Sequence, residues 1–195
     1  KKLITVGTSA LALLLGANRA NAQDWQSLTA THNLNNQNQV LRFQRGDKNT
    51  YGFLDLFGNN ADFETTYGEF RARKDLGKGF GVGLEYNGGS GVKDLVRPHL
   101  SYTKEIGSLF LDVKFSPLES TLKQGQQIGF YGSTKIFDLG LGSWVDLDYV
   151  NGKVTPMGEI EASKNITDKL AVVVRAEKYP WQDKPSYSLG AKLNF

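Results

Sequence analysis

Residues 109–115 read LFLDVKF, and the alternation within this stretch decides the fold. Every odd-numbered position is apolar, whereas the even-numbered positions include Asp112 and Lys114. Successive side chains of a β-strand point to opposite faces, so a repeat of two residues indicates a strand, whereas a helix requires a repeat of 3.6. The stretch therefore predicts a β-strand with one apolar face and one charged face.

The same alternation recurs along the chain, most clearly at 139–149, 170–177 and 187–195. Turn-forming residues such as Asn151-Gly152 separate the alternating runs. The pattern predicts twelve strands at 25–33, 39–46, 50–58, 65–74, 79–88, 95–105, 109–116, 124–137, 141–150, 154–163, 169–178 and 187–195. The first of these has the weakest pattern, so ten strands is the alternative.

The charged faces indicate which solvents the strands meet. Nearly every strand carries full charges on its polar face, which a water-filled lumen tolerates and a dry core does not. Aromatic residues lie near strand ends on the apolar face, as in the girdles of membrane barrels: Phe43, Phe70, Phe80, Tyr86, Tyr102 and Tyr149. We therefore predict an all-β, transmembrane, antiparallel up-and-down barrel. A secreted β-sandwich, which also alternates, is the competing interpretation.

An even number of strands places both chain ends on one side of the barrel. The connections predicted on that side are tight, at 47–49, 75–78, 106–108, 138–140 and 164–168. Those predicted on the opposite side are longer on average, at 34–38, 59–64, 89–94, 117–123 and 179–186. This difference is typical of the periplasmic and extracellular ends of an outer-membrane barrel.

The N-terminal segment has the pattern of an export signal. Two lysines precede an apolar stretch at 3–15, which is too short to span a bilayer, and small residues follow at Ala20 and Ala22. We predict a signal peptide over 1–22, Sec-dependent export, and a barrel over 23–195 in the outer membrane, surrounded by its lipid. A buried N-terminal helix of a cytosolic protein is the alternative.

Composition excludes several classes of function. The chain has no Cys and two His, so it offers no thiolate chemistry and few imidazole ligands. A mean hydropathy of −0.37 argues against a polytopic helical membrane protein. Residues 1–22 hold 3 of the 23 basic residues and no acid, so the remainder has 20 basic and 20 acidic residues. This balance predicts no nucleic-acid partner, and the sequence contains no recognisable cofactor-binding motif.

Three stretches carry resemblances to known families. Residues 191–195 (AKLNF), with terminal Phe195, resemble the signal that the barrel-assembly machinery of diderm bacteria recognises. Residues 50–58 (TYGFLDLFG) and 67–73 (YGEFRAR) resemble neighbouring strands of the Tsx-like nucleoside-specific channel superfamily. Residues 83–89 (GLEYNGG) resemble a strand end in a related, uncharacterised family of small outer-membrane barrels. The resemblance implies a passive channel whose solute is a nucleoside, although this chain is shorter, chiefly in its outer loops.

The polar face, taken as inward, carries nine acidic and eight basic side chains. They are Arg42, Asp55, Glu69, Arg71, Arg73, Glu85, Arg97, Asp112, Lys114, Lys135, Asp146, Asp148, Glu159, Glu161, Arg175, Glu177 and Lys192. A lining of one sign selects ions of the other sign, and this near balance does not. The composition therefore predicts a channel for small uncharged solutes, in which paired charges cross-link and narrow the lumen.

Aromatic residues on the same face predict where a nucleoside binds. Tyr51, Phe53 and Phe57 surround Asp55 on one strand, so rings able to stack on a base flank a carboxylate able to accept hydrogen bonds from ribose. The adjacent strand and its neighbours complete the candidate site with Tyr67, Glu69, Arg71, Arg73, Glu85 and Arg97. The alternative is that the rings plug the barrel.

Two other functions remain open. The first is a closed structural or interaction barrel without transport. The second is an outer-membrane hydrolase, because the spacing of His99 and Ser101 resembles that of the catalytic pair of outer-membrane phospholipase A. No acid or Asn on that strand orients His99, and nucleophilic catalysis needs such a partner. We therefore predict that the protein is not an enzyme and has no catalytic or metal-binding residues.

Overall fold

The structure is a computed structural model that describes residues 25–47, 49–59, 62–90, 92–118, 125–180 and 182–195. These residues form twelve strands: β1 Trp25–Asn33, β2 Gln39–Gly46, β3 Thr50–Asn59, β4 Asp62–Gly77, β5 Phe80–Gly89, β6 Val92–Ile106, β7 Leu109–Ser116, β8 Gln126–Ile136, β9 Leu139–Val150, β10 Lys153–Asn165, β11 Leu170–Lys178 and β12 Ser186–Asn194. Among the described residues, no helix is long and apolar enough to cross a membrane. The predicted signal peptide lies outside the described residues.

The strands close into one barrel. Each strand pairs antiparallel with its neighbours in sequence, and β1 pairs with β12, with Ala30 opposite Ala191. This confirms the predicted twelve-stranded barrel. The ten-stranded alternative is wrong because β1 is the strand that closes the ring, and the sandwich is wrong because the strands form one closed sheet.

The two faces of the barrel have opposite chemistry. On β11, Val174 is 52% exposed on the outer surface, whereas its neighbour Arg175 is 2% exposed. On β12, Leu189 is 49% exposed and Ser188 is buried. A soluble protein buries apolar residues, so an apolar exterior around a polar interior is the arrangement required by a barrel that stands in lipid.

Aromatic side chains mark the outer surface near strand ends. Phe80, at the start of β5, is exposed and lies 4.9 Å from Tyr102 of β6, measured between ring centroids. Tyr149, next to the last residue of β9, is also exposed. These positions match the interfacial girdles predicted from the sequence.

The connections differ in part from the predicted lengths. We call the end that holds Trp25 and Phe195 the terminal end, and the opposite end the loop end. Connections at the terminal end are short, as predicted, but the loop end also has two-residue connections, including residues 151–152. Asn151 and Gly152 adopt φ of 51° and 78°, the left-handed conformation that a tight hairpin requires. The predicted loops at 59–64 and 89–94 are therefore too long, because β3 to β6 continue into them.

The turn between β2 and β3 shows how polar residues stabilise the terminal end. The Asp47 carboxylate accepts hydrogen bonds from the backbone N–H groups of Asn49 at 2.6 Å and Thr50 at 2.7 Å. Partial burial raises the pKa of Asp47, but these hydrogen bonds outweigh it and hold the pKa below its usual value. The ionised carboxylate thus fixes the turn.

Candidate functional site in the barrel lumen

Arg42 is the centre of a buried set of ion pairs in the lumen. Its Nε and Nη2 atoms donate to Oδ1 and Oδ2 of Asp55 at 2.7 and 2.8 Å, the two-point geometry that makes Arg–carboxylate pairs strong. Its Nη1 atom donates to both oxygens of Glu159 at 2.8 and 3.0 Å. Because Glu159 lies on β10, Arg42 joins β2 and β3 to strands further around the wall.

The same set of pairs continues onto β11 and β12. Arg175 contacts Glu159 at 3.1 Å and Glu161 at 2.8 Å, and Lys192 Nζ lies 3.1 Å from Glu161 Oε1. We call Arg42, Asp55, Glu159, Glu161, Arg175 and Lys192 the first ion-pair cluster. It contains three acids and three bases, so its charges balance.

A second ion-pair cluster occupies the other side of the lumen and consists of Glu85, Arg97, Lys114, Asp146 and Asp148. Glu85 pairs with Lys114 and lies 3.7 Å from Arg97. Arg97 also contacts Asp148 at 3.2 Å, and Lys114 lies 3.8 Å from Asp146. This cluster ties β5, β6, β7 and β9 together.

Arg71 and Asp112 form a further ion pair next to the second cluster, between β4 and β7. Asp112 is 2% exposed, so its charge is compensated inside the lumen rather than in bulk water. These pairs realise the predicted cross-linking of the lumen by opposite charges.

Four rings form a row along one side of the lumen, which we call the first aromatic wall. Ring centroids are 6.0 Å apart for Trp25 and Tyr51, 6.1 Å for Tyr51 and Phe53, and 5.8 Å for Phe53 and Tyr67. The Arg42 guanidinium lies 4.9 Å from the centroid of Phe53, in cation–π range. The guanidinium therefore fixes both the Asp55 carboxylate and the ring beside it.

A second aromatic wall, formed by Phe110, Tyr131, Trp144 and Tyr179, lies on β7 to β9 and directly after β11. The Phe110 and Tyr131 rings are 5.9 Å apart, and the Trp144 and Tyr179 rings are 6.1 Å apart. Burial raises the pKa of Tyr179, because the phenol of this loop residue is withdrawn into the lumen. The lumen thus has rings on two sides.

One cavity of about 1350 Å³ runs between the walls. Its lining includes Asn36 and Gln182 at the loop end and Asp47 and Asp75 at the terminal end. The cavity therefore reaches both ends of the barrel.

All ten residues of the predicted nucleoside site line this cavity: Tyr51, Phe53, Asp55, Phe57, Tyr67, Glu69, Arg71, Arg73, Glu85 and Arg97. Their role in nucleoside binding stays a prediction. The two carboxylates of the predicted site nearest these rings differ in their partners. Asp55 forms an ion pair with Arg42, whereas Glu69 makes no ion pair with any described residue. Phe57 makes no ring contact with the described residues. The Asp55 carboxylate is therefore not free to receive ribose.

Sequence reasoning missed part of the lining. Five charged residues beyond the predicted set line the cavity: Asp47, Asp75, Lys93, Lys104 and Glu105. Five predicted residues do not line it: Arg42, Lys135, Glu159, Glu161 and Arg175. Strands β4 and β6 extend beyond their predicted limits, which is why two of these residues, Asp75 and Lys93, fall in predicted turns. Among the described residues, the lining holds ten acids and seven bases, a larger excess of acids than the nine to eight predicted for the whole polar face.

The candidate catalytic pair lacks catalytic geometry. His99 and Ser101 are buried in the wall, and neither ring nitrogen of His99 nor Oγ of Ser101 has a hydrogen-bond partner among the described residues. Nucleophilic catalysis requires a serine bonded to its base. Asp146, Asp148, Glu159 and Glu161 are committed to ion pairs, and the described residues contain no group of three or more potential metal ligands.

A closed twelve-stranded barrel with an apolar exterior and a charged lumen has the architecture of an outer-membrane porin. Solved structures of that kind resemble the chain. The KdgM porin superposes with a TM-score of 0.59 at 11% identity, covering 88% of this chain and 99% of that chain, and the same figures hold for its complex with disordered oligogalacturonate. The NanC porin gives a TM-score of 0.58 at 9% identity, covering 86% of this chain and 98% of that chain.

At these identities the likeness shows the fold alone. No protein-family model matches the sequence, and no curated protein matches it either. The resemblance to Tsx-like channels therefore stays a prediction, while the fold, a closed twelve-stranded antiparallel barrel, is established.

Proposed function

We propose that this chain is an outer-membrane channel through which small solutes diffuse passively. The observation that carries the proposal is the continuous cavity, about 1350 Å³ in volume, that reaches both ends of a closed barrel. A barrel of about twelve strands is wide enough for a narrow channel but lacks the bore of porins with 16–18 strands. The apolar exterior and the solved porins of the same fold support placement in the outer membrane.

The two ion-pair clusters support a narrow passage. Arg42 and Glu159 meet from strands four positions apart around the barrel, and Arg97 and Asp148 meet from strands three positions apart. Side chains that bridge the lumen occupy space that water and solute would otherwise fill. The channel therefore takes small molecules and excludes polymers.

We propose a nucleoside as the particular solute. The support is the first aromatic wall, in which Tyr51, Phe53 and Tyr67 offer rings at steps of about 6 Å. Base stacking on aromatic rings contributes ~1–3 kcal/mol per base. Since Asp55 is held by Arg42, the acceptor for ribose hydroxyls in this proposal is Glu69, whose Cα lies opposite that of Phe53 across β3 and β4.

The solute of the KdgM complex gives a useful contrast. That structure contains oligogalacturonate, an acidic saccharide. The cavity of the present chain is lined by more acids than bases among its described residues, so it disfavours an anionic solute. We therefore propose uncharged solutes for this channel.

Recordings from planar bilayers test the proposal. Purified, refolded protein should give stepwise single-channel currents of small conductance, and adding a nucleoside should reduce them. Protein that migrates as an unfolded chain on a heat-modifiability gel serves as the control. A folded barrel that gives no current would contradict the channel and support the closed structural barrel. A current unaffected by nucleosides would contradict the proposed solute alone.

A further inference from the structure

Five of the described carboxylates that line the cavity have no ion-pair partner among the described residues, and three of them, Asp47, Asp75 and Glu105, lie at the terminal end. The other two lie further inside the lumen. Glu69 on β4 and Glu177 on β11 both line the cavity, and neither forms an ion pair with a described residue. Glu177 accepts a hydrogen bond from Ser186 Oγ at 3.0 Å, which stabilises the carboxylate but does not neutralise its charge. The two residues lie on strands five positions apart around a ring of twelve, so they stand on nearly opposite walls.

The remaining charges do not cancel this excess. The first ion-pair cluster is balanced, with three acids and three bases. The second cluster together with Arg71 and Asp112 has four acids and three bases. Arg73, which lines the cavity and pairs with no described carboxylate, cancels one of these charges. These groups together still carry two negative charges, which are not confined to the mouths of the lumen.

Each unpaired carboxylate stands beside aromatic rings. Glu69 lies two residues from Tyr67 and opposite Phe53, and both rings belong to the first aromatic wall. Glu177 lies two residues from Tyr179, whose ring contacts Trp144 on the second wall. Carboxylates and the faces of aromatic rings both attract cations, and the rings also pack against the apolar part of an organic cation. An anion meets repulsion from both.

We propose that this lumen selects cations over anions and that Glu69 and Glu177 determine this selectivity. The charged solutes it prefers are small organic cations that carry an ammonium or guanidinium group on an apolar frame. The inference rests on the proposed channel function and narrows its solute class. Uncharged solutes such as nucleosides still pass, because neither sign of charge opposes them. Anions of the same size are excluded.

Reversal potentials measured across a KCl gradient at about pH 8.5, well above the ordinary carboxyl pKa of about 4, test the selectivity. The wild type should be more permeable to K⁺ than to Cl⁻. Glu69→Gln and Glu177→Gln should each lower this ratio, and the double variant should bring it close to one. Asp138→Asn is the control, because it removes one negative charge from an exposed turn at the terminal end.

Benzylammonium and benzoate, which share a frame and differ in charge, test the solute class. Benzylammonium should block the wild-type current, and the double variant should bind it roughly 5- to 30-fold more weakly. Benzoate should have no effect on either protein. Heat-modifiable migration confirms that each variant is folded, and the Glu→Gln changes preserve side-chain size.

The outcomes separate this inference from the proposed function. A folded wild type without current contradicts both. A current that is unselective or anion-selective, or a selectivity that survives in the double variant, overturns the inference and leaves the channel intact.

Discussion

Arg42 and Glu159 pair inside the barrel at 2.8 and 3.0 Å, although 117 residues separate them in the sequence. Their strands, β2 and β10, are four positions apart around the wall, so the pair spans part of the lumen. Both side chains are almost fully buried. One guanidinium therefore fixes the shape of the passage and compensates two carboxylates.

Arg42→Ala should both widen and destabilise the barrel. Removing the guanidinium opens the space between β2 and β10, so single-channel conductance should rise. Asp55 loses its partner and Glu159 keeps only Arg175, so the free energy of unfolding should fall by up to about 3–5 kcal/mol, the usual cost of leaving a buried charge unpaired. Arg73→Ala is the control for the loss of stability, because Arg73 donates to Thr103 Oγ1 and the Gly79 carbonyl oxygen and pairs with no described carboxylate. Equal conductance in wild type and Arg42→Ala would contradict the role of this pair in narrowing the lumen.

An arginine on the outer face should destabilise the barrel more than one on the inner face of the same strand. Val145 lies near the middle of β9 and is 39% exposed, so Val145→Arg places a charge in lipid at a cost of about 2–4 kcal/mol if it lies at the bilayer midplane. Gly142, on the opposite face, has open space where a side chain would extend, so Gly142→Arg should be mild. Urea unfolding in lipid vesicles measures both. Similar losses at the two positions would argue against a water-filled lumen.

Sequence alternation predicted the strands well because a half-exposed sheet leaves a local signal. The register around 109–115 follows from parity alone, and the closing strand β1 was found despite its weak pattern. The ends of the strands were predicted less accurately than their centres. β4 continues to Gly77 and β6 begins at Val92 because hairpin pairing extends the ladder through residues whose composition resembles a turn.

For the site, the sequence predicted only which residues face the lumen. Parity placed Asp55 and Glu69 in the lumen correctly, but it carries no information on which opposite-wall residue each one meets. The bond from Arg42 to Asp55 connects adjacent strands, whereas that from Arg42 to Glu159 depends on barrel closure and strand tilt. For this reason the sequence alone predicted that the Asp55 carboxylate accepts hydrogen bonds from ribose, whereas the structure pairs Asp55 with Arg42 and leaves Glu69 without an ion pair to any described residue.

The N-terminal segment should be needed for export, and Phe195 should be needed afterwards for assembly in the outer membrane. If residues 1–22 are the signal peptide that their charge and apolar pattern predict, the mature protein should begin at Gln23. Deleting Phe195 should reduce assembly in the outer membrane without preventing export, because residues 191–195 resemble the signal that the assembly machinery recognises. N-terminal sequencing and heat-modifiable migration of membrane fractions measure the two effects. Intact chain in the cytosol, or normal assembly without Phe195, would contradict the respective part.

Phe53→Ala should weaken nucleoside binding while leaving the barrel folded. Phe53 lies between Tyr51 and Tyr67 in the first aromatic wall, so its loss removes the central stacking surface and should raise the nucleoside Kd by roughly 5- to 150-fold, equivalent to ~1–3 kcal/mol. Glu69→Gln should also weaken binding, because the amide loses the charge that strengthens hydrogen bonds from ribose hydroxyls. Leu54→Val changes the outer face of the same strand and should leave binding unchanged. Nucleoside block of ion current, titrated for each variant, gives the Kd values. If wild type is blocked but Phe53→Ala is blocked equally, the nucleoside binds elsewhere in the lumen, and the first aromatic wall serves only to support Arg42.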